Sequence, residues 1–427
     1  MKPQELGAAL KSIAEHHAVK RSFGDSNKTP ARELDYSWKG GMISLDDEGA
    51  KEITDLTKQL MHDRPQVAEL CSHETVRFEL VEAVKEFVYS QAPLDPSKEA
   101  ERLLERFGGR LCDFVCIFLV KGGSIEGVYR LNRVTLAPTR QMIPDALASM
   151  LDPSTKFPRK VIDLAVKKAG PTPPEEYAPV FNQQWYVISK SKALDRSKGE
   201  EKALRIAEED LGLLRLRVHR ELKFEEPPSI EVIGGPIATY QNGVPMGVEA
   251  GLNRESSNEV LHLASELPEI PQILDFRIES AESDFKQIAA ILAKDERTQL
   301  QERVYLAYTW LNKALKQTDP RERLLDSVIG MEALMLKPRE SRDTLAERLA
   351  FCAGKDFSSR KTIYDSAKDL IRTRNRVSHE GETTVLRKQS DGATMMLGKI
   401  VEIMTERCQR ETTLDEFISE VERVKFS

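Results

Sequence analysis

The chain has 427 residues, with 63 Lys and Arg against 69 Asp and Glu, which gives a formal net charge of −6. This balance excludes a nucleic-acid-binding protein with a uniformly basic surface, so any anion site must be local. Five scattered cysteines without a Cys-x-x-Cys pair indicate neither a disulfide framework nor a zinc site. The longest apolar run, at 114–120, is too short to cross a bilayer, so we expect a cytoplasmic protein with no membrane contact.

The N-terminal region, residues 1–107, is predicted to be mostly helical. From about residue 47 onwards, apolar residues recur at three- and four-residue spacing in "VRFELVEAVKEFVY" and "AERLLERF". This spacing is typical of amphipathic helices. We interpret "LDD" at 45–47 as a turn or helix cap and not as a magnesium site.

The middle region, residues 108–280, is predicted to be α/β, with no chemical motif and an open sensing or regulatory role. The runs "DFVCIFLV" and "VYRLNRVTL" flank the turn-prone "KGGSIEG" and predict a hairpin. Four prolines at 170–180 indicate a boundary or a long connection. Beyond them "QWYVISKSKA" predicts a strand, "KGEEKALRIAEEDLGLLRLRV" a long helix and "SIEVIGGPIATY" a strand. A further transition is predicted at 268–280.

The C-terminal region, residues 283–427, is almost purely helical in its pattern and predicts a bundle of four to six helices. Asp319 is predicted as a helix N-cap, with Pro320 at the first helical position. Gly381 is predicted to end a later helix. The fold class is therefore α+β, with N-terminal helical and α/β regions followed by an all-α C-terminal bundle.

Two charged residues fall on predicted apolar stripes of this bundle. Glu332 lies seven residues after Leu325, and Arg374 continues the stripe of Ala367 and Ile371. Because a lone buried charge costs several kcal/mol, each residue needs a partner or a water-filled cleft. The simplest arrangement pairs Glu332 with Arg374 within hydrogen-bonding reach. A register-fixing ion pair, snorkelling at a bundle end and a functional cleft all remain open, as does a different basic partner for Glu332, such as Arg348.

The stretch "IRTRNRVSHEG" concentrates cations near the predicted end of a helix. Arg372, Asn375, Arg376 and His379 have the spacing of one polar helix flank. Arg374 and His379 would be about 140° apart on an ideal α-helix, so they would not meet within one straight helix. A second copy of the chain would be one way to bring them together. A histidine at a helix C-terminus also fits a simple interaction with the helix dipole.

The string "RNRVSH" matches the Arg-x(4 to 6)-His signature of HEPN-domain ribonucleases, in which the residue after the Arg is commonly polar and often Asn. Its setting among the helices "YLAYTWLNKAL" and "RLLDSVIGMEALML" resembles the ApeA-like HEPN branch, which is associated with prokaryotic defence against phage. The resemblance spans roughly residues 300–410, about a quarter of the chain. It implies that Arg374 and His379 are catalytic and Asn375 supporting, with Arg372 as an alternative catalytic arginine.

The resemblance implies a metal-independent endoribonuclease that needs no cofactor and leaves a 2′,3′-cyclic phosphate and a 5′-hydroxyl. A histidine with a pKa of about 6.5 and an always-charged arginine suit that chemistry. RNA is the expected partner, with Arg372 and Arg376 binding it and Glu332 in support. We expect a growth-arresting antiphage effector, toxin-like in action, which dimerises through the C-terminal domain and whose first 280 residues bind an unknown trigger or regulatory protein.

Two other functions compete with this one. The first is a non-catalytic HEPN module that binds a nucleotide, RNA or a partner protein. The second is the toxin half of a pair that another protein neutralises. The presence of both Arg374 and His379 favours the enzyme, because a binding module needs neither residue at that spacing. The length of the chain argues against the second, because such toxins are usually compact single domains.

Overall fold

The computed structural model describes residues 1–21, 34–38, 41–90, 93–109, 111–138, 142–150, 185–222, 230–241, 244–245, 278, 281, 283–380 and 384–425. These residues combine α-helices with β-strands, which confirms the predicted α+β class and the helical C-terminal region. The proline-rich connection predicted at 170–180 lies outside the described residues, as does nearly all of the predicted transition at 268–280. None of the described helices has the length and apolar character that a membrane span requires.

The chain divides into two compact units. The first unit comprises Met1–Val115, Lys190–Ala203 and Thr239–Met246, and the second comprises Cys116–Ser189, Leu204–Ala238 and Gly247–Ser427. Both units therefore draw on separated stretches of the chain. The predicted three-part division by chain order stays a prediction.

The first unit is mostly helical between residues 47 and 107, as predicted. Its helices are α1 (Pro3–His16), α2 (Asp47–Asp63), α3 (Pro65–Leu70), α4 (His73–Tyr89) and α5 (Pro96–Phe107). The Asp46 side chain accepts a 2.7 Å hydrogen bond from the Gly49 amide at the start of α2, which confirms the cap interpretation of "LDD". Leu6, Leu10 and Leu80 are fully buried in the core of this unit.

A small sheet in the first unit was not predicted. Its strands are β1 (Ala18–Arg21), β2 (Leu34–Trp38) and β3 (Gly41–Leu45), in the order β1-β3-β2, with antiparallel pairing. Strands of four or five residues are too short to produce a reliable two-residue period in the sequence. The strand signal was therefore missing.

A second sheet has six strands in the order β5-β6-β7-β4-β8-β9. The strands are β4 (Cys112–Lys121), β5 (Tyr129–Leu131), β6 (Val134–Ala137), β7 (Trp185–Ala193), β8 (Glu231–Gln241) and β9 (Val244–Pro245). The helices α6 (Ile143–Met150) and α7 (Arg196–Leu222) follow β6 and β7 along the chain. The predicted strands at β7 and β8 and the predicted long helix at α7 are confirmed.

The predicted hairpin between β4 and the run "VYRLNRVTL" is wrong. That run is itself a hairpin, because Leu131 of β5 faces Val134 of β6 and Asn132 turns the chain with a φ of 52°. Asparagine tolerates this left-handed conformation, which suits a two-residue hairpin loop. The neighbours of β4 are β7 and β8. Seven consecutive buried residues in β4 fit such a central strand better than a hairpin edge.

The C-terminal part of the second unit contains helices and their connections, with no strand among its described residues. It contains α8 (Lys286–Leu292), α9 (Gln299–Lys316), α10 (Pro320–Met335), α11 (Arg342–Ala353), α12 (Phe357–Asn375), a π-helical turn (Arg376–Glu380), α13 (Arg387–Arg407) and α14 (Leu414–Lys425). These seven α-helices exceed the predicted four to six. Asp319 caps α10 and Pro320 is its first residue, as predicted. Helix α10 packs on α9 and α13, and α11 packs on α12.

The predicted core stripe of α10 needs a correction. The residues that α10 buries with apolar side chains are Leu324, Val328, Met331, Leu334 and Met335. Leu325, Ile329 and Glu332 lie together on a half-buried flank instead. Both sets satisfy the three- and four-residue spacing, because α10 is apolar on more than one face. Glu332 therefore does not replace a core leucine. In α12, Ala367 and Ile371 are buried as predicted.

Candidate functional site

The predicted site residues lie on two neighbouring helices and the turn that extends one of them. Helix α10 carries Glu332 near its C-terminal end, and the last turn of α12 carries Arg372, Arg374 and Asn375. Because α10 contacts α12, the carboxylate and the arginines meet inside one packed unit. The predicted site residues therefore cluster at the C-terminal ends of these two helices, at the position predicted from the sequence.

Glu332 and Arg374 form an ion pair, as predicted. The Arg374 Nη2 to Glu332 Oε2 distance is 3.9 Å, and only 15% and 22% of the two side chains are exposed. The predicted hydrogen bond does not form, because this distance exceeds hydrogen-bond range. The buried Nε of Arg374 also has no hydrogen-bond partner among the described residues. Arg374 is thus held near its carboxylate with part of its donor capacity unused.

Arg342, at the start of α11, completes the cluster and was not predicted. Its Nε lies 3.3 Å from Glu332 Oε1, and its Nη1 donates to the Asn375 side-chain oxygen. Glu332 is therefore shared between Arg342 and Arg374. The alternative partner Arg348 does not contact it, because Arg348 donates to Glu340 over 2.6 and 2.7 Å.

An open pocket of about 300 Å³ lies beside this cluster, between the first turn of α11 and the last turns of α12. The pocket is lined by Ser341, Arg342, Asp343, Lys368, Ile371, Arg372 and Asn375. Three of these side chains are cations and one is a carboxylate. The hydrogen bond from Lys368 to Asp343, whose atoms are 3.1 Å apart, raises the pKa of the lysine, so Lys368 stays charged at neutral pH. The electrostatic character of the pocket suits an anion.

The two arginines predicted to bind RNA lie at the exposed side of the site. Arg372 lines the pocket, is 68% exposed and lies 3.3 Å from Asp369. Arg376 is exposed and donates to the Thr373 hydroxyl over 3.4 Å. Arg376 does not line the pocket. Of the predicted pair, only Arg372 therefore lines the pocket.

The backbone of His379 lies in the π-helical turn that continues α12, whereas its side chain is not among those that the structure describes. Hydrogen bonds in a π-helix join residues five apart. Arg374 precedes this turn, in α12, and only His379 lies within it. The expected angle of about 140° between Arg374 and His379, and the second chain that would bring them together, therefore stay predictions.

The role of Arg342 was not predicted, because nothing in the sequence relates this residue to the motif. It is 33 positions before Asn375, on another helix. The only local signal is Ser341, which caps α11 by accepting a hydrogen bond from Thr344 and so marks the start of the helix. The arrangement as a whole can surround a phosphate with cations and an amide.

Comparison of the chain with protein-family models, with curated proteins and with solved structures found no match. Within the described part of the chain, no group of three or more His, Cys, Asp or Glu side chains is arranged to hold a metal ion. The arguments on function therefore depend on the site itself and on the motif.

Proposed function

We propose that the chain is a HEPN-type endoribonuclease that cleaves RNA without a metal ion. The observation that supports this best is the position of Arg374. The last turn of α12 holds it beside Glu332, its neighbour Asn375 lines a pocket with three cations, and His379 follows in the π-helical turn. The pocket includes the first residues of α11, and helix N-termini and cationic pockets bind anions in general. The "RNRVSH" motif adds a residue that can move protons.

In this reaction, the His379 imidazole takes the proton of a ribose 2′-hydroxyl, and that oxygen attacks the adjacent phosphorus. The bond from phosphorus to the 5′-oxygen breaks, and the imidazolium returns the proton to the leaving oxygen. The products carry a 2′,3′-cyclic phosphate and a 5′-hydroxyl. Arg374, which is always protonated, offsets the charge that develops on the phosphorane oxygens. Glu332 acts only through Arg374 and is a positioning residue.

The proposal extends to the setting in which the enzyme acts. We place it in the cytoplasm as a growth-arresting antiphage effector that forms a two-fold dimer through its C-terminal domain. Residues 1–280 then bind the trigger or a regulatory protein. The dimer is proposed from the resemblance and from the expected separation of Arg374 and His379 around one helix.

A non-catalytic module that binds RNA or a nucleotide is the second candidate. The observation that favours it is that Arg342 contacts Asn375 and Glu332 contacts Arg374, so the polar residues of the motif have structural partners within the protein. Such a module would use the cationic pocket and would have no need of His379. Binding without cleavage would distinguish it from the enzyme.

The test is to incubate the purified full-length protein with total RNA in EDTA and to analyse the ends of the products. We expect cleavage that leaves 2′,3′-cyclic phosphates, loss of that cleavage in His379→Ala, and full activity in the control His62→Ala, which changes an exposed histidine of α2. Cleavage by His379→Ala at the wild-type rate would refute the catalytic assignment. RNA binding by the wild-type protein with no cleavage would favour the non-catalytic module.

A further inference from the structure

The cationic pocket and the predicted catalytic arginine face different ways. Arg372 and Asn375 line the pocket, whereas Arg374 does not and instead faces Glu332. Neighbouring residues of a helix point about 100° apart, so Arg374 and Asn375 present two adjacent surfaces from one turn. A phosphate beside Arg374 and a phosphate in the pocket would therefore be two different groups.

We infer that the pocket is a separate subsite, which binds the phosphate next to the one that is cleaved. This inference rests on the proposed ribonuclease function. It makes the substrate a single-stranded chain of several nucleotides, because one strand must present a phosphate to each surface. The volume of about 300 Å³ lies at the lower end of the usual range for ligand sites, enough for a phosphate with part of its sugar.

The cations of the pocket are available to such a ligand. Lys368 pairs with Asp343, which is 74% exposed, and Arg372 pairs with Asp369, which is also 74% exposed. Ion pairs this open to solvent are weak and exchange readily. A phosphate can therefore replace Asp343 on Lys368 and Asp369 on Arg372 and gain charge-assisted hydrogen bonds.

The composition of the lining indicates which part of a nucleic-acid strand the subsite recognises. Ile371 is the only apolar side chain in the lining, and no aromatic ring is among the lining residues that the structure describes. Strands that are held by their bases use aromatic stacking platforms. The Tyr364 ring lies 5.5 Å from the Lys368 Nζ, but Tyr364 does not line the pocket. Recognition through phosphates carries no sequence information and depends strongly on salt. The subsite therefore holds the backbone of a strand whatever its bases.

The first experiment measures binding of a fluorescently labelled single-stranded DNA pentanucleotide to the full-length protein by anisotropy. This probe has no 2′-hydroxyl, so it cannot be cleaved by the proposed reaction. We expect Lys368→Ala to weaken binding about tenfold and to reduce the salt slope by about one. The control Lys361→Ala, which changes an exposed lysine of α12 outside the pocket, should bind as the wild type does. Equal binding by both variants would overturn the subsite.

The second experiment measures cleavage of an RNA pentanucleotide and of a dinucleoside monophosphate, which has a single phosphate. Lys368→Ala should raise KM for the pentanucleotide about tenfold with little change in kcat, and should not alter cleavage of the dinucleotide. The same KM in both proteins would contradict the subsite while the ribonuclease function stands. Binding that depends on Lys368 without any cleavage would support the subsite and refute the ribonuclease.

Discussion

Two clusters in the second unit both combine arginines with carboxylates. They differ in how many of the guanidinium nitrogens have hydrogen-bond partners. In the first, Arg133 donates to Asp210 through Nε at 3.1 Å and Nη2 at 2.6 Å, to Glu209 at 2.8 Å and to the Leu292 carbonyl at 2.8 Å. In the second, Arg374 has an ion pair at 3.9 Å and a buried Nε without a partner among the described residues.

This difference indicates which cluster is structural. A guanidinium whose three nitrogens all donate to its own protein has little capacity left for a ligand, and Arg133 shows this arrangement around the fully buried Asp210. An arginine with unused donors keeps capacity for a substrate. We therefore expect the Arg133 cluster to control stability and the Arg374 cluster to control activity.

The largest effect should come from breaking the saturated cluster. Asp210→Asn leaves Arg133 without its main counter-charge, and losing one partner of a buried pair costs about 3–5 kcal/mol of unfolding free energy. Urea denaturation measures this loss, and Asp365→Asn, an exposed carboxylate of α12, is the control with a change below about 0.5 kcal/mol. RNA cleavage per folded molecule should not change. A loss of unfolding free energy below about 1 kcal/mol would show that the Arg133 cluster is not a main source of stability.

A smaller, pH-dependent effect should come from a second saturated pair close to the site. The two hydrogen bonds from Arg348 lower the pKa of Glu340 from 4.5 to about 2. A lowered carboxylate pKa stabilises the fold above pH 4.5 and loses that contribution as the pH falls towards 2. Glu340→Gln should therefore cost about 1–2 kcal/mol at pH 7 and about half as much at pH 3. An equal cost at both pH values in urea denaturation would show that the charge is not responsible.

The smallest stability effect should come from the under-satisfied cluster itself. Glu332→Gln keeps the shape of the side chain but removes the charge that Arg342 and Arg374 share, so we expect a loss of about 1 kcal/mol. Cleavage should fall about tenfold or more, because Arg374 loses the partner that orients it. Glu332→Ala should lower both quantities further. Lower stability with unchanged cleavage per folded molecule would make Glu332 purely structural.

Features that depend on residues close together in the sequence were predicted correctly, whereas features that depend on distant residues were not. Helix starts depend on local signals, and the cap of α10 was correctly predicted from the adjacent residues Asp319 and Pro320. Strand pairing depends on distant residues, so β4 was assigned to the wrong neighbour. The face of Glu332 was ambiguous because α10 is apolar on more than one side.

The site shows the same limit. The Glu332–Arg374 pair was predicted because each charge lies among apolar residues of its own helix. Gly381, which was predicted to end the later helix, lies outside the described residues. Arg342 was out of reach, since its link to Asn375 exists only after α11 packs on α12. The π-helical turn was also missed, because the three- and four-residue apolar spacing that predicts an α-helix gives no signal for a single π-turn.

The most direct test of the contrast between the clusters is to measure stability and RNA cleavage together in Arg374→Gln. We predict that the free energy of unfolding changes by less than about 1 kcal/mol, since the ion pair of Arg374 with Glu332 is long and its Nε has no partner among the described residues. Cleavage should fall at least about 100-fold, as expected when a cation that stabilises the transition state is lost. Cleavage at the wild-type rate, or a loss of stability as large as that of Asp210→Asn, would contradict the account.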